Sequence, residues 1–375
     1  MKAGVESKGI PLARNFSAYD FVFMKTAQAP PSTFGLMETS LRKRSGRKVM
    51  RTRFLESTVL TVILCASFQT GHAQLGQRLD LPMSSFSACD FCLAAQGISP
   101  LEAGASGLRA DFRYLTLGSM YRGGSRVANS DGEVESHFTQ QYTLLFQLGR
   151  VWTISGIIPF ARRHTEFTAE GGNVVNGNQF GLGDIAVLAR YKAIMTHGME
   201  STYMLSLNAG VKTPTGRTNG YDSQGNLLDA HIQLGTGSTD FLVGCSGIAA
   251  FDRAALIANV LTSITTQGAH GHRFGNSVNY DLSLRYRLFP EGYEGVQFFG
   301  VVGLTGEWRG REIQDGTPDE NSGGNVAYIS PGAQVFFTPS VSVEAAFQYP
   351  VAHALHGEQL GEDFRIMTGI QLLFR

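Results

Sequence analysis

The sequence predicts an all-β protein: a closed, transmembrane, antiparallel up-and-down β-barrel of about twelve strands. Three observations predict this fold. Apolar and polar side chains alternate along many short segments, short turns alternate with long polar loops, and the chain ends on an alternating segment with an aromatic residue beside its terminus. Successive side chains of a strand point to opposite faces, so each segment has one apolar and one mixed face. A lipid-facing wall around a polar lumen has this pattern.

The N-terminal region indicates export. Residues 42–53 carry seven Lys or Arg and no acid, residues 54–68 are mostly apolar, and small residues at 71–73 precede Gln74. This is the order of a secretory signal peptide, and the apolar part is shorter than the about 20 residues of a spanning helix. Because such a signal begins a protein, we expect translation to start at Met50.

This start divides the chain into four parts. Residues 1–49 become an upstream extension, residues 50–73 a cleaved signal peptide, residues 74–106 a periplasmic lead-in or plug, and residues 107–375 the barrel domain. Residues 74–375 hold 20 basic and 27 acidic residues. That balance argues against a nucleic-acid partner, which calls for a basic face.

The lead-in carries a Cys-x-x-Cys pair, Cys89 and Cys92. In an oxidising periplasm the pair can close a small disulfide loop. Two thiolates are also half of a tetrahedral metal site, and a third interpretation gives them no role. A c-type haem site is excluded because Leu93 stands where His is needed. The disulfide is favoured, and no metal site or cofactor is predicted.

Twelve alternating segments follow, each near the roughly 9–11 residues of a tilted spanning strand or slightly longer. The first five place apolar side chains such as Phe112, Phe146, Ile158, Tyr191 and Leu207 at every second position, whereas the sixth and seventh alternate less regularly. The predicted strands lie near 108–121, 136–148, 151–162, 183–194, 202–212, 240–251, 255–266, 277–288, 296–309, 325–338, 340–351 and 364–375.

The eighth and twelfth segments alternate most clearly. In the eighth, Leu284 is predicted to face lipid and Arg285 the lumen. In the twelfth, Phe364 and Phe374 belong to the apolar face and Arg365 to the other.

Loop lengths support the same fold. Short turns at 149–150, 196–201, 252–253, 290–295 and 339 alternate with longer polar connections, such as 163–182, 213–239 and 310–324. Outer-membrane barrels have short periplasmic turns and long external loops. An even number of strands then places both termini in the periplasm.

The predicted lumen face carries charges of both signs. Such a set fits either a closed lumen held by ion pairs or a wet channel of mixed polarity, and ion pairing is favoured because buried charges must be paired. Asp184 and Asp240 have a second interpretation, as turn residues that bind their own backbone. The candidate lumen-lining residues are Arg109, Asp111, Arg113, Asp184, Arg190, Lys192, Asp240, Asp281, Arg285, Arg287, Glu307, Arg309, Glu344 and Arg365.

Several short motifs resemble, in order, those of the MetA-pathway of phenol degradation family of outer-membrane transporters. They are Gln179–Ile185 with Ala189–Lys192, Lys212–Arg217, Leu234–Asp240, Ser330–Gly332 and Phe347–Val351. The resemblance covers roughly residues 105–375 and implies uptake or export of small, often aromatic, molecules. The final Arg375 departs from the aromatic end that barrel-assembly signals usually have.

The sequence therefore predicts an outer-membrane channel or transporter for small organic compounds in a Gram-negative bacterium, with no enzymatic activity. Its expected partners are outer-membrane lipid, the barrel-assembly machinery and a small organic cargo. A non-conducting structural or assembly barrel is the main alternative. A hydrolase is a weaker one, because it needs a nucleophile and base within hydrogen-bond reach, and His137 is the only His in a confidently predicted strand.

Overall fold

The computed structural model describes residues 106–169, 172–198, 201–290 and 295–374. The predicted extension, signal peptide and Cys89–Cys92 pair lie outside these residues. Twelve strands form the barrel, and we number them in chain order. They are β1 (Ser106–Arg122), β2 (Val134–Leu148), β3 (Trp152–Thr168), β4 (Ala186–His197), β5 (Ser201–Lys212), β6 (Asp240–Phe251), β7 (Ala254–Ile264), β8 (Ser277–Phe289), β9 (Gln297–Arg309), β10 (Gly324–Thr338), β11 (Val341–Leu355) and β12 (Glu358–Phe374).

The barrel is closed by its first and last strands. Each strand pairs antiparallel with the next, and β1 also pairs with β12 in a register that runs from Ser106 opposite Phe374 to Arg122 opposite Glu358. Closure matters because lipid offers no hydrogen bonds to an open strand edge. The predicted fold class, a closed antiparallel barrel of twelve strands, is confirmed.

The two faces of the wall follow the alternation in the sequence. Leu284 on β8 is 45% exposed on the outside, whereas Arg285 beside it is buried inside. On β12, Ile366, Ile370 and Phe374 are exposed outward. No helix within the described ranges is both long and apolar enough to cross a membrane.

The main departure from the predicted strand limits lies between β3 and β4. The segment 163–182 was predicted to be a loop, but β3 continues to Thr168 and an additional strand, Val174–Leu182, pairs with its second half. β4 begins only at Ala186 and pairs with the first half of β3. The additional strand and the second half of β3 contain many polar residues and glycines, so their sequences do not show the apolar alternation that is typical of a strand. β12 likewise begins at Glu358 rather than 364.

A short break at Gly183–Ile185 lets β4 replace the additional strand beside β3. The amide of Gly183 donates to the carbonyl of Pro159 at 2.8 Å. Gly181 has φ 156°, in the region that favours glycine.

The long connections all leave the same end of the barrel, which we call the loop end; the opposite end is the turn end. Residues 213–239, here called the roof loop, bury Leu228, Ile232 and Leu234. Leu228 lies over Gly177 of the additional strand, where an added Cβ would come within 2.3 Å of it. The predicted polar loop is thus a packed element of the fold.

Candidate functional site

The barrel interior contains a cavity of about 640 Å³ at the loop end. Its walls come from several strands, including β1, β2, β3, β9, β10 and β12, and the roof loop contributes residues 229–231 and 233–236. Binding sites for small molecules have about 300–1,000 Å³. The cavity is therefore large enough for a small organic compound.

Most of the predicted lumen residues are buried inside the barrel. Lys192 and Arg309 are only partly buried, and Asp184 lies in the break before β4 rather than in a strand. The buried residues of the set are Arg109, Asp111, Arg113, Asp184, Arg190, Asp240, Asp281, Arg285, Arg287, Glu307, Glu344 and Arg365.

One group of these residues lies in the turn half of the interior. Arg109 Nη2 contacts Asp111 Oδ1 at 2.6 Å and also pairs with Glu344 across the β12 strand between them. Gln334 Nε2 donates to the other oxygen of Glu344 at 3.0 Å. These contacts leave the carboxylates paired, as burial requires.

The turn half is closely packed. Leu145, Leu188, Leu242 and Leu261 are at most 2% exposed and belong to one apolar cluster. Polar residues at the same depth are bonded to each other, as when Arg190 Nε donates to Asn208 Oδ1 at 3.0 Å. These side chains are almost completely buried, so this half is filled.

A second charged group forms the floor of the cavity. Arg365 on β12 pairs with Glu362, lies 3.9 Å from Glu307 Oε2, and places its guanidinium 4.4 Å from the ring centre of Tyr328. Glu307 also accepts from Arg309 at 2.7 Å. This floor network, comprising Arg365, Glu362, Glu307, Tyr328 and Arg309, separates the cavity from the filled half.

A third group anchors the roof loop. Lys212 Nζ lies 2.5 Å from Asp240 Oδ2 and 3.3 Å from Asp184 Oδ2. Asp184 accepts 2.9 Å hydrogen bonds from the amides of Gly216 and Thr236. Asp184 therefore holds the roof loop, and it also lines the cavity.

This anchor unites three of the family-like motifs. Asp184, Lys212 and Asp240 come from three separate motifs, and the two glycines beside them allow the two ends of the roof loop to touch. A Cβ added to Gly216 would lie 2.6 Å from the Gly235 Cα, so only glycine fits. The motifs thus encode a loop anchor.

A carboxylate that sequence analysis missed joins the loops. Glu312 is buried and contacts His231 Nε2 of the roof loop and His272 Nε2 of the next loop, both at 3.1 Å. Glu312 attracts the imidazolium and raises the pKa of His231 to about 10, although burial opposes this. Burial alone would raise the pKa of Glu312, but the two histidines and Arg309 hold it well below its usual range. We call His231, Glu312 and His272 the loop clamp.

His353 lies on β11 and stacks on Tyr121 at 4.0 Å between ring centres. Across the described part of the chain, no group of three or more His, Cys, Asp or Glu is arranged to hold a metal ion.

Comparisons with known proteins agree with the fold. The family model "Putative MetA-pathway of phenol degradation" matches residues 120–358, more than half of the chain. The COG4313 outer membrane channel from Pseudomonas putida F1 aligns over 72% of this chain and 96% of its own, with TM-score 0.55 and 19% identity. None of the curated proteins matches.

More distant structures align over a similar share of the chain. The β-domain of the Bordetella autotransporter BrkA covers 72% of this chain and 100% of its own, with TM-score 0.38 and 14% identity. A Pseudomonas aeruginosa FadL homologue covers 72% and 91%, with TM-score 0.36 and 10% identity.

Proposed function

The chain belongs to the MetA-pathway of phenol degradation family, and from this premise we propose that it is an outer-membrane channel or transporter for small organic compounds, without enzymatic activity. It reaches the membrane through a cleaved signal peptide, and the barrel-assembly machinery inserts it into the lipid. The P. putida relative is described as an outer membrane channel, which supports the proposal.

The observation that carries the proposal is the cavity at the loop end. It has ligand-sized volume and mixed polarity, and it ends on the floor network rather than on an apolar core. Ion pairs and hydrogen bonds between side chains can rearrange without unfolding the wall, because the wall is held by its own backbone hydrogen bonds. A solute can therefore enter from the loop end and pass when the floor network and the ion pairs of the turn half below it rearrange.

The filled turn half favours a second candidate, a barrel that does not conduct. There the Arg109, Asp111 and Glu344 group would only fasten the wall, which is a sufficient role for buried ion pairs. A hydrolase has less support. The imidazole of His137 lies 3.2 Å from the Glu135 carboxylate, and a base beside a carboxylate still needs a nucleophile within reach.

Solute uptake into liposomes separates the two main candidates. The mature protein is reconstituted into liposomes. Swelling of the liposomes is then followed with small aromatic compounds, short-chain alcohols and sugars of increasing size. If the protein is a channel, at least one class of solute should enter these liposomes faster than it enters protein-free liposomes. The protein should also conduct ions in planar bilayers. The proposal is wrong if folded, heat-modifiable protein neither admits any solute nor conducts.

The floor network supplies a matched pair of variants for the same assay. Arg365→Gln removes the charge that bridges Glu362 and Glu307, and we expect it to raise solute uptake. Arg122→Gln removes an equal charge from an exposed pair with Glu358 at the rim, and uptake should not change. If both variants match the wild type in uptake, the floor does not limit passage.

A further inference from the structure

The cavity has a strong imbalance of charge. Its lining includes ten Asp or Glu residues and four Lys or Arg. Three histidines also line it, so even full protonation of all three leaves the acids in excess. The lumen as a whole carries charges of both signs, but at the loop end acidic residues are in excess.

Two of the four basic side chains of this zone form ion pairs with acids. Lys212 is shared by Asp184 and Asp240, and Arg309 is paired with Glu307. The excess negative charge is left near the mouth, on Glu133 and Asp229. Neither carboxylate contacts a Lys or Arg within 4.0 Å among the pairs formed by described residues, although Asp229 Oδ1 accepts the His231 amide at 2.9 Å.

These mouth carboxylates also act on each other. Burial raises the pKa of Glu133, and the nearby charges of Glu135, Asp229 and Asp131 raise it further. A cation that enters the mouth relieves this repulsion, whereas an anion adds to it. Because the walls have a low dielectric constant, a cleft lined by one sign of charge concentrates ions of the other sign.

The floor adds an independent polar group that points to a ligand. Tyr328 is fully buried and lines the cavity, and its hydroxyl faces the Glu362 carboxylate without forming a hydrogen bond of normal geometry. A buried hydroxyl whose hydrogen bond is not fully formed can take a further partner. Phe274 contributes an aromatic surface nearby, with its ring 4.6 Å from that of His272.

From this arrangement we infer that the cavity selects small organic cations, such as amines on an aromatic ring, over anions of the same size. The inference rests on the proposed channel function and specifies its substrate class. Carboxylates at the mouth attract the ammonium group, aromatic rings offer faces for the apolar part, and the Tyr328 hydroxyl supplies a hydrogen-bond partner at the floor. An aromatic carboxylate meets net repulsion from the excess of acids in the lining.

The test compares benzylammonium with benzoate, which share ring size and differ in charge. Uptake into liposomes is measured for both, and the zero-current potential is measured across a bilayer with a KCl gradient. We expect faster uptake of benzylammonium and a potential of the sign that K⁺ preference gives. Equal or faster uptake of benzoate, or Cl⁻ preference, overturns the inference while leaving the channel function intact.

Variants locate the selectivity at the mouth. Glu133→Gln combined with Asp229→Asn should shift the zero-current potential toward zero and reduce the ratio of benzylammonium to benzoate uptake. Glu320→Gln is the control, because this exposed acid lies at the same end but outside the cavity lining. An equal shift in the control variant would assign the preference to the general surface potential and refute the mouth as its source. Absence of conductance and uptake in the wild type would instead refute the channel function.

Discussion

At the scale of single residues, the barrel is governed by which face a side chain occupies. Leu284 and Arg285 are neighbours in the chain, yet one is 45% exposed on the outer wall and the other is 1% exposed inside. Successive side chains of a strand point to opposite faces. The same kind of substitution therefore has different consequences at neighbouring positions, because one position faces lipid and the next faces the interior.

Leu284→Arg should therefore destabilise the barrel. An arginine on the lipid face costs about 2–4 kcal/mol near the midplane and less toward the interfaces. The folded, faster-migrating band on an unboiled gel should weaken, and the urea midpoint of unfolding should fall.

Arg285→Leu is the matched change on the inner face. Arg109 still pairs with Asp111 and Glu344 without Arg285, so folding should remain closer to the wild type. If Arg285→Leu abolishes folding while Leu284→Arg has no effect, the inner and outer faces are exchanged and the protein is a soluble barrel with an apolar core.

At the scale of elements, strands were predictable and contacts between loops were not. The period of two is local, so segments such as β5 and β6 were located to within a residue. The additional strand Val174–Leu182 was missed because glycines and asparagines weaken its apolar face. Glu312 was missed because its partner His231 is 81 residues away in sequence, and no local pattern marks either residue.

The loop clamp should make the roof loop sensitive to alkaline pH. His231 has a raised pKa in the fold, so its contribution to stability is complete below its unfolded pKa of about 6.5 and is lost as pH rises through about 10. Glu312 and Asp229 raise this pKa and Arg309 opposes them. Since the imidazole is 38% exposed, solvent screening reduces the size of the effect.

Limited proteolysis of the roof loop between pH 6 and pH 10 measures this contribution. Wild-type protein should become easier to cleave as pH rises, whereas His231→Gln should be cleaved readily throughout. His197→Gln, at the turn end, should behave as wild type because His197 lies far from the roof loop and bonds locally, to Thr202. A wild-type cleavage rate that is independent of pH would contradict a titrating clamp.

At the scale of the whole molecule, the two ends of the barrel differ in both structure and charge. The loop end has an acidic cavity under a packed roof, and the turn end is filled by side chains that include Arg109, Arg190, Arg285 and Arg287. The sequence allows a prediction of which residues line the interior, because parity alone determines which face a side chain occupies. It did not predict the separation of charge along the axis, since that depends on how far each strand is shifted against the next.

The orientation of the barrel in the membrane follows from the same difference between its ends. Long loops of outer-membrane barrels face outward and short turns face the periplasm, so we expect the roof loop to be outside the cell.

A tag inserted at 222–226 should be reached by antibody on intact cells. These residues form an exposed turn in which Asp222 Oδ1 accepts hydrogen bonds from the amides of Gln224 and Asn226. A tag at His197–Gly198, in the turn between β4 and β5, should be labelled only after the outer membrane is permeabilised. Both insertions lie in exposed connections between strands, so heat-modifiability on gels should show equal folding. Labelling of the second site alone on intact cells would mean that the barrel is inserted in the opposite sense, with the acidic cavity open to the periplasm.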